Sequence, residues 1–364
     1  MEDRVNQQVI LIDGREFVTG RRTGIGRFLE GLLLATIELH PEWRLQVLIT
    51  SGCTLPASLH GSVEAYLVKA SGDIAFGRCC SLLSKKAELF LSPYPKLPLL
   101  KLHCPAIHTV HDILYLTHEA YRGSKFQYWL DRIRLKLALH RADLTWFDSS
   151  ETRSECQQMF GISSEARVRY PAIESSFTCS RQREQSQDVY FLYVGNGLPH
   201  KNIDILLQAL GGMDGHLKCV GVKESFAGKL IATYPNVIAK VEFLQQVDDT
   251  ALRDLYRSAV ALLLPSTAEG YGYPPLEAMA CGTPAVVADI PVLKETTGGH
   301  AVYCSSDDMT AWRDAMLQLQ KVDREAGLGE AVESWIAERQ GTTGWQPHVN
   351  DMQTVMNQKE VNNE

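Results

Sequence analysis

The sequence predicts an α/β protein built from two doubly wound parallel-sheet domains. Short β-rich apolar runs alternate with amphipathic helical stretches through most of the 364 residues, and such alternation builds βαβ units and parallel sheets. The plan occurs twice, on either side of the polar stretch 178–188 with its Ser-Arg-Gln-Arg-Glu-Gln-Ser-Gln run, which reads as a linker. The length suits two domains of ordinary size. The domains are drawn at 1–175 and 176–340. Residues 341–364 form a segment returning to the first domain, and the polar stretch 350–364 is read as frayed.

In chain order, the first-half strands are 9–13, 45–50, 89–92, 106–110 and 144–148, with amphipathic helices at 26–39, 125–140 and 150–160. The second-half strands are 189–194, 217–222, 237–243, 260–264, 285–288 and 300–303. Between or after them the helical pattern covers 202–210, 223–234, 248–258, 275–280 and 308–321. Pro274 and Pro275 open the helix 275–280, because the first backbone donors of a helix lack partners anyway, and Gly282 closes it. In doubly wound sheets ligands sit outside the carboxyl ends of the strands, so a cleft between the domains is expected to hold the site.

Composition is that of a soluble globular protein, 45% hydrophobic and 22% charged. No apolar run reaches the roughly 18–20 residues of a membrane span. The polar, acidic stretch 1–8 is unlike a signal peptide. Nine scattered cysteines without a Cys-x-x-Cys pair read as reduced thiols in a cytoplasmic protein, with no zinc site. Residues 1–175 carry 21 Lys/Arg and 19 Asp/Glu, whereas the remainder carries 15 and 24. An acidic chain of net charge −7 argues against nonspecific nucleic-acid binding.

The loops after the strands carry the chemistry. Glu269 and Glu277 lie in Glu269-Gly270-Tyr271-Gly272-Tyr273-Pro274-Pro275-Leu276-Glu277, one acid on the loop and one in the first turn of the following helix. The helix end offers N–H groups and a positive dipole end to a phosphate, and a carboxylate beside it accepts from ribose or hexose hydroxyls. The loop Gly195-Asn196-Gly197-Leu198-Pro199-His200-Lys201-Asn202 permits close backbone approach. Lys201 near a helix start opposes the dipole unless an anion sits there, although a solvated first-turn lysine is the plain alternative. Gly20-Arg21-Arg22-Thr23-Gly24-Ile25-Gly26-Arg27 is a second glycine-rich basic loop, or only a long βα turn. His111-Asp112 follows strand 106–110. Its imidazole donates to a sugar hydroxyl, or it is a buried loop histidine bonded to backbone.

Together these segments resemble the retaining glycosyltransferases of GT-B fold, family 4, over most of the chain. The resemblance rests on Gly24-Ile25-Gly26-Arg27, on Thr109-Val110-His111-Asp112 with His118-Glu119, and on Ala142-Asp143 with Asp148-Ser149-Ser150-Glu151-Thr152-Arg153. It extends to Val194-Gly195-Asn196 with Pro199-His200-Lys201-Asn202, to Phe243-Leu244 with Leu252 and Leu255-Tyr256, and to the Glu269-to-Glu277 run, the family's defining motif. It implies two Rossmann-like domains, an acceptor-binding first and a donor-binding second. It implies that Glu277 binds the donor ribose, that Glu269 and the backbone of Gly270, Tyr271, Gly272 and Tyr273 hold the donor sugar, and that Lys201 neutralises the leaving diphosphate. It implies further that Gly24 approaches the diphosphate, that His111 contacts the sugar near the reacting centre, and that Arg22 and Asp112 serve the acceptor.

Two departures bear on these roles. Asn196, counted with the donor-binding residues, stands where many members carry an arginine, with Arg22, Arg27 and Arg153 as candidate substitutes for the missing charge. Gln245-Gln246-Val247 stands where a glycine and an aromatic residue are commoner. The Gly-Asn…Pro-His-Lys-Asn form resembles mannosyl- and rhamnosyltransferases of polysaccharide assembly. The expected reaction therefore moves mannose or rhamnose from a nucleoside-diphosphate sugar, with a GDP-sugar favoured, to a glycan or lipid-linked saccharide. It uses no metal or other cofactor, retains the anomeric configuration, and proceeds in the cytoplasm or at the inner face of the membrane. The rival readings are another GT-B enzyme, such as a sugar phosphorylase, and a non-catalytic nucleotide-sugar-binding subunit. The helix near 125–140 repeats Phe126, Trp129, Leu130, Ile133 and Leu137 with basic residues around them. It is either a core-facing stripe with a solvated basic face or a peripheral contact with an anionic membrane.

Overall fold

The computed structural model describes residues 8–69, 72–118, 122–179, 189–322 and 327–363. The chain divides into two compact units, Met1–Ala172 with Gly341–Glu364, and Ile173–Gln340. Of the expected linker only Thr178 and Cys179 lie within the described residues, and Glu119 lies outside them.

The first unit runs β1 (Val9–Asp13), α1 (Gly24–Leu39), β2 (Arg44–Thr50), β3 (Glu64–Val68), α2 (Asp73–Leu83), β4 (Leu89–Ser92), β5 (Ala106–Val110), α3 (Leu114–Thr117), α4 (Lys125–Arg141), β6 (Leu144–Phe147), α5 (Ser150–Phe160) and β7 (Glu165–Val168). Its seven-stranded sheet has the order β3-β2-β1-β4-β5-β6-β7, with parallel pairing throughout. β4, β5 and β6 are buried along their whole length, which is why they read as unbroken apolar runs. β3 and β7 were not expected from the sequence. They are edge strands that bury little, Val68 alone being buried in β3, so their apolar signal is weak. Thr23 caps α1 by accepting from Gly26 N at 3.0 Å, and Ser149 caps α5 by accepting from Thr152 N.

The second unit runs β8 (Tyr190–Val194), α6 (Ile203–Leu210), β9 (His216–Val220), α7 (Glu224–Thr233), β10 (Val241–Leu244), α8 (Asp249–Ser258), β11 (Leu262–Leu264), α9 (Tyr273–Ala280), β12 (Ala285–Ala288), α10 (Pro291–Thr296), β13 (Val302–Cys304), α11 (Met309–Leu319) and α12 (Glu330–Ala337). Its six parallel strands are ordered β10-β9-β8-β11-β12-β13. Both sheets are therefore doubly wound and Rossmann-like, as the sequence predicted, with the strand sequence reversing at β1/β4 and at β8/β11.

The C-terminal stretch differs from the sequence reading. Instead of fraying from Asn350, the backbone is helical through α13 (Gly341–Asn363), even though Pro347 lies inside it. Trp345, Val349, Met352 and Met356, at spacings of four, three and four, are buried beside Phe28, Leu29, Leu32 and Leu33 of α1. Each such side chain gains roughly 1.5–3 kcal/mol on full burial, which outweighs the unfavourable proline. Asp351, also buried, accepts from Trp146 Nε1 at 2.9 Å and from Arg169 Nε at 2.7 Å, and pairs with Arg167.

Candidate active site

The strand reversal fixes where the second unit can hold a ligand. β8 and β11 are neighbours, with Leu192 opposite Leu262, and the chain leaves them toward opposite flanks of the sheet. Loops at the carboxyl ends of strands at such a reversal are where open α/β sheets bind ligands. The Lys201 loop follows β8 and the Glu269 loop follows β11. Thr267 ties them together, its N–H and Oγ1 both donating to the carbonyl of His200 at 2.7 and 3.2 Å.

Lys201 Nζ donates to Glu269 Oε1 at 2.5 Å, with side-chain exposures of 15% and 10%. The two sequence-predicted charges are thus brought into one ion pair. Lys201 ends a 3-10 turn, Pro199–Lys201, and Asn202 then adopts a left-handed backbone (φ 49°) before α6 begins. Asn202 is held there by its side chain, which donates to the Ser306 carbonyl at 2.7 Å. Asn196 accepts from Leu198 N at 3.1 Å, so its side chain shapes the loop. Gly197 has φ +73°, and a Cβ on it would lie 2.7 Å from Phe226, so glycine alone fits this turn.

α9 begins at Tyr273 with left-handed Gly272 (φ 90°) as its N-cap. This corrects two details read from the sequence. Glu277 is the fifth helical residue, outside the first turn. Pro274 and Pro275 occupy the second and third positions, which therefore carry no N–H, and of the first three helical residues only Tyr273 has one. Glu277 is 1% exposed, and its Oε2 accepts from Tyr256 OH at 2.8 Å. Tyr256 is anchored in turn by Thr283 Oγ1, which donates to its carbonyl at 2.6 Å. A nearly fully buried carboxylate lowers stability unless it is hydrogen-bonded, and the Tyr256 hydroxyl meets that need. Ser266 Oγ, in the same β11–α9 loop, is buried without a hydrogen-bond partner. Further along the chain, Tyr271 and Tyr273 pack edge to face at 5.1 Å. Tyr256 and Ser266 were not singled out as site residues. Tyr256 was traceable, since it stands at a buried position of an amphipathic helix, whereas Ser266 carries no sequence signal. In the loop after β10, Gln246 has φ +53°, a conformation that suits glycine better, and this is a position where the sequence departs from the commoner glycine.

In the first unit, Val110 pairs with Phe147 across β5 and β6, so the next residues along, His111 and Asp148, lie near one another. His111 Nδ1 bonds Asp148 Oδ2 at 2.7 Å and Nε2 bonds the Pro93 carbonyl at 3.1 Å. Burial opposes charge on this ring, but Asp148, Asp112 and the carbonyl outweigh it and raise the pKa. A ring that donates from both nitrogens to two acceptors is the protonated form. His111 is thus engaged within its own unit, as in the buried-loop alternative, while Asp148 Oδ1 is buried without a partner. The Asp148 partnership was not foreseen, although the register of adjacent strands makes it legible. Asp112 accepts from Leu114 N at 2.9 Å, Arg22 pairs with Glu30 at 3.4 Å, and Gly24 is the first residue of α1. Arg22 also borders a cavity of about 460 Å³ together with Thr19, Gly20, Arg21 and Pro56.

The family Glycosyl transferases group 1 matches residues 178–330. The O-antigen chain mannosyltransferase RfbU of Salmonella typhimurium is 28% identical over 240 residues, 65% of each chain. O-antigen chain mannosyltransferase B of Escherichia coli is 29% identical over 260 residues, 63% of this chain and 67% of that one. The chain thus spans about two thirds of the length of these relatives. Among solved structures, sucrose-phosphate synthase from Thermosynechococcus elongatus superposes with a TM-score of 0.79 at 16% identity, over 98% of this chain and 99% of that one, a likeness of fold. The second unit carries a glycosyl transferases group 1 domain over residues 178–330, and the chain as a whole has the GT-B fold.

Proposed function

We propose that this protein is a retaining hexosyltransferase of polysaccharide biosynthesis. It moves mannose or rhamnose from a nucleoside-diphosphate sugar, with GDP-mannose first among the candidates, to a hydroxyl of a glycan or lipid-linked saccharide. The observation that carries this reading is the Lys201–Glu269 pair on the loops after β8 and β11, with buried Glu277 on the helix that follows. The names of the two bacterial relatives support the sugar and the setting.

Bond cleavage builds negative charge on the diphosphate and positive character on the sugar, and catalysis consists mainly in preorganised stabilisation of that charge. On donor binding, Lys201 moves from Glu269 to the diphosphate, joined by the backbone of Gly270 to Tyr273 and the α9 dipole. Glu269, released, accepts from hydroxyls of the donor sugar. Glu277, its Oε2 fixed by Tyr256, accepts from the ribose. The acceptor hydroxyl attacks from the face the diphosphate leaves, and the diphosphate takes its proton, so the configuration is retained without a metal. In the first unit His111 contacts the donor sugar near the reacting centre, and Arg22 and Asp112 serve the acceptor.

The test is a thermal-shift screen against GDP-, UDP-, dTDP- and ADP-sugars, using the wild type and Glu277→Gln. A hundredfold excess of ligand over its dissociation constant stabilises the folded state by about 2.7 kcal/mol. A shift with one nucleotide class, lost in Glu277→Gln, is the expected result. An equal shift in the variant would remove Glu277 from the site, and no shift with any donor would remove the donor reading itself.

A further inference from the structure

The apolar stripe of α4 does not face the core, contrary to the plainer of the two sequence readings. Phe126, Trp129, Ile133 and Leu137 are 76%, 59%, 53% and 41% exposed, and their spacing of three, four and four places them on one helix face. The opposite face supplies Leu135 and Leu139 to a core with Val110 and Phe147. Two neighbouring segments extend the exposed face. Arg134 donates to Asp73 at 2.7 Å, which brings the start of α2 alongside, where Ile74 is exposed. Arg141 donates to the carbonyls of Pro98, Leu99 and Leu100 at 2.9, 3.3 and 3.0 Å. It thereby fixes a loop on which Leu99 and Leu100 are exposed. Single exposed apolar residues are ordinary, but a cluster gathered from three elements marks an interaction surface.

We infer that this surface docks the protein onto an anionic lipid bilayer, and the inference does not depend on the donor reading. The charges around the stripe select the occupant. Lys125 and Lys136 on α4 and Lys101 on the loop are exposed. The acid of α4 is Asp131, which accepts from Gln127 Nε2 at 2.8 Å. This basic rim belongs to a chain of net charge −7. Aromatic and aliphatic residues on one helix face with lysines beside them are the pattern of a helix lying in the headgroup region. Tryptophan favours that depth. Anionic headgroups attract the lysines, each worth about fivefold in partitioning. A second copy seated two-fold on the same face would oppose like charges. Among the described residues no helix is long and apolar enough to cross a membrane, so the contact is interfacial.

The full chain is floated with vesicles of phosphatidylcholine alone and of phosphatidylcholine with phosphatidylglycerol in equal parts, at low and high salt. The wild type is expected to float with the anionic vesicles only, less so at high salt. The double variant Phe126→Ser/Trp129→Ser should weaken partitioning about a hundredfold, and Lys101→Glu/Lys125→Glu/Lys136→Glu should abolish the preference for phosphatidylglycerol. The control Ile231→Ser, an exposed apolar site on α7, should float as the wild type does. Melting curves report whether each variant is folded, and the targets are exposed, so folding should persist. A wild type that stays soluble with both vesicle types would overturn the proposal, as would folded variants that float unchanged. Sedimentation showing self-association that the same variants abolish would instead assign the face to a second copy.

Discussion

The two units share one sheet plan and use charge in opposite ways. In the first, Asp351 is buried among Trp146, Arg167 and Arg169, and both its carboxylate oxygens are occupied. It joins α13 to β6, β7 and the segment just after β7, far along the chain. In the second, Lys201 and Glu269 sit on loops beside the strand reversal and keep residual exposure. A satisfied, buried network has nothing to offer a ligand and holds structure together. A pair on two loops can be opened by an incoming anion. The lesson is that the number of charged residues locates neither role, whereas their position relative to the strand ends and their degree of satisfaction locate both.

The sharpest way to break the comparison is Asp351→Ala. It leaves the Trp146 N–H and two arginines without their acceptor, and removing one partner of a buried pair costs about 3–5 kcal/mol. The urea-unfolding midpoint should fall accordingly, while turnover per folded molecule is unchanged. An unshifted midpoint would mean that α13 is held by apolar packing alone. The converse variant is Lys201→Ala, which should lower kcat by about 10²–10³-fold, the usual loss when one charge-stabilising donor is removed. If kcat stayed within about twofold while stability dropped, the pair would be structural and the contrast between the units would collapse.

A third effect belongs to the first unit alone. Burial pushes the His348 pKa down to about 3, with Arg169 and His111 adding to the shift and Asp351 opposing it. Burial likewise pushes His108 down to about 4. Both are charged in the unfolded chain below about pH 6.5 and neutral when folded. Their contribution to stability is therefore complete above that pH and is lost as pH falls toward the folded values. His111 has a raised pKa and acts in the opposite sense, stabilising below pH 6.5 and less so as pH rises through its folded value. Between about pH 7 and pH 5, His348 alone should remove roughly 2 kcal/mol. Urea midpoints of the wild type and His348→Phe across that range measure it. The variant should show a shallower slope, and parallel slopes would show that His348 does not titrate on unfolding.

Much of this was legible in the sequence. Fully buried strands such as β4 and β5 announce themselves as apolar runs, and glycines at turns mark loops such as that around Gly197. The Lys201 and Glu269 loops could be placed at strand ends, but not joined. Their ion pair depends on β8 lying beside β11, and strand order is a property of the sheet that no local window contains. Edge strand β3 escaped because four of its five residues are exposed, and α13 because Pro347 and its polar tail mask a spacing that only a partner helix reveals. The α4 stripe misled for the reverse reason. Periodicity shows that a helix has an apolar face and is silent about whether protein covers it.

The smallest expected effect compares two helix glycines, one in each unit. Replacing glycine by alanine in a helix gains up to about 1 kcal/mol from backbone entropy. At Gly228 in α7 a Cβ meets nothing within 4 Å, so Gly228→Ala should stabilise the second unit by nearly that amount. At Gly31 in α1 the new carbon would lie 2.9 Å from Nε1 and 3.0 Å from Cζ2 of Trp345. That indole is 4% exposed and packs against Phe28, so it cannot swing aside, and overpacking costs about 1–3 kcal/mol. Gly31→Ala should therefore be neutral to destabilising in the wild type. With Trp345→Ala already in place the clash is gone, and the same substitution should become stabilising. A double-mutant cycle on the urea midpoint reads this change of sign directly. If Gly31→Ala has one sign in both backgrounds, the close approach of α1 and α13 at this point is not what keeps residue 31 a glycine.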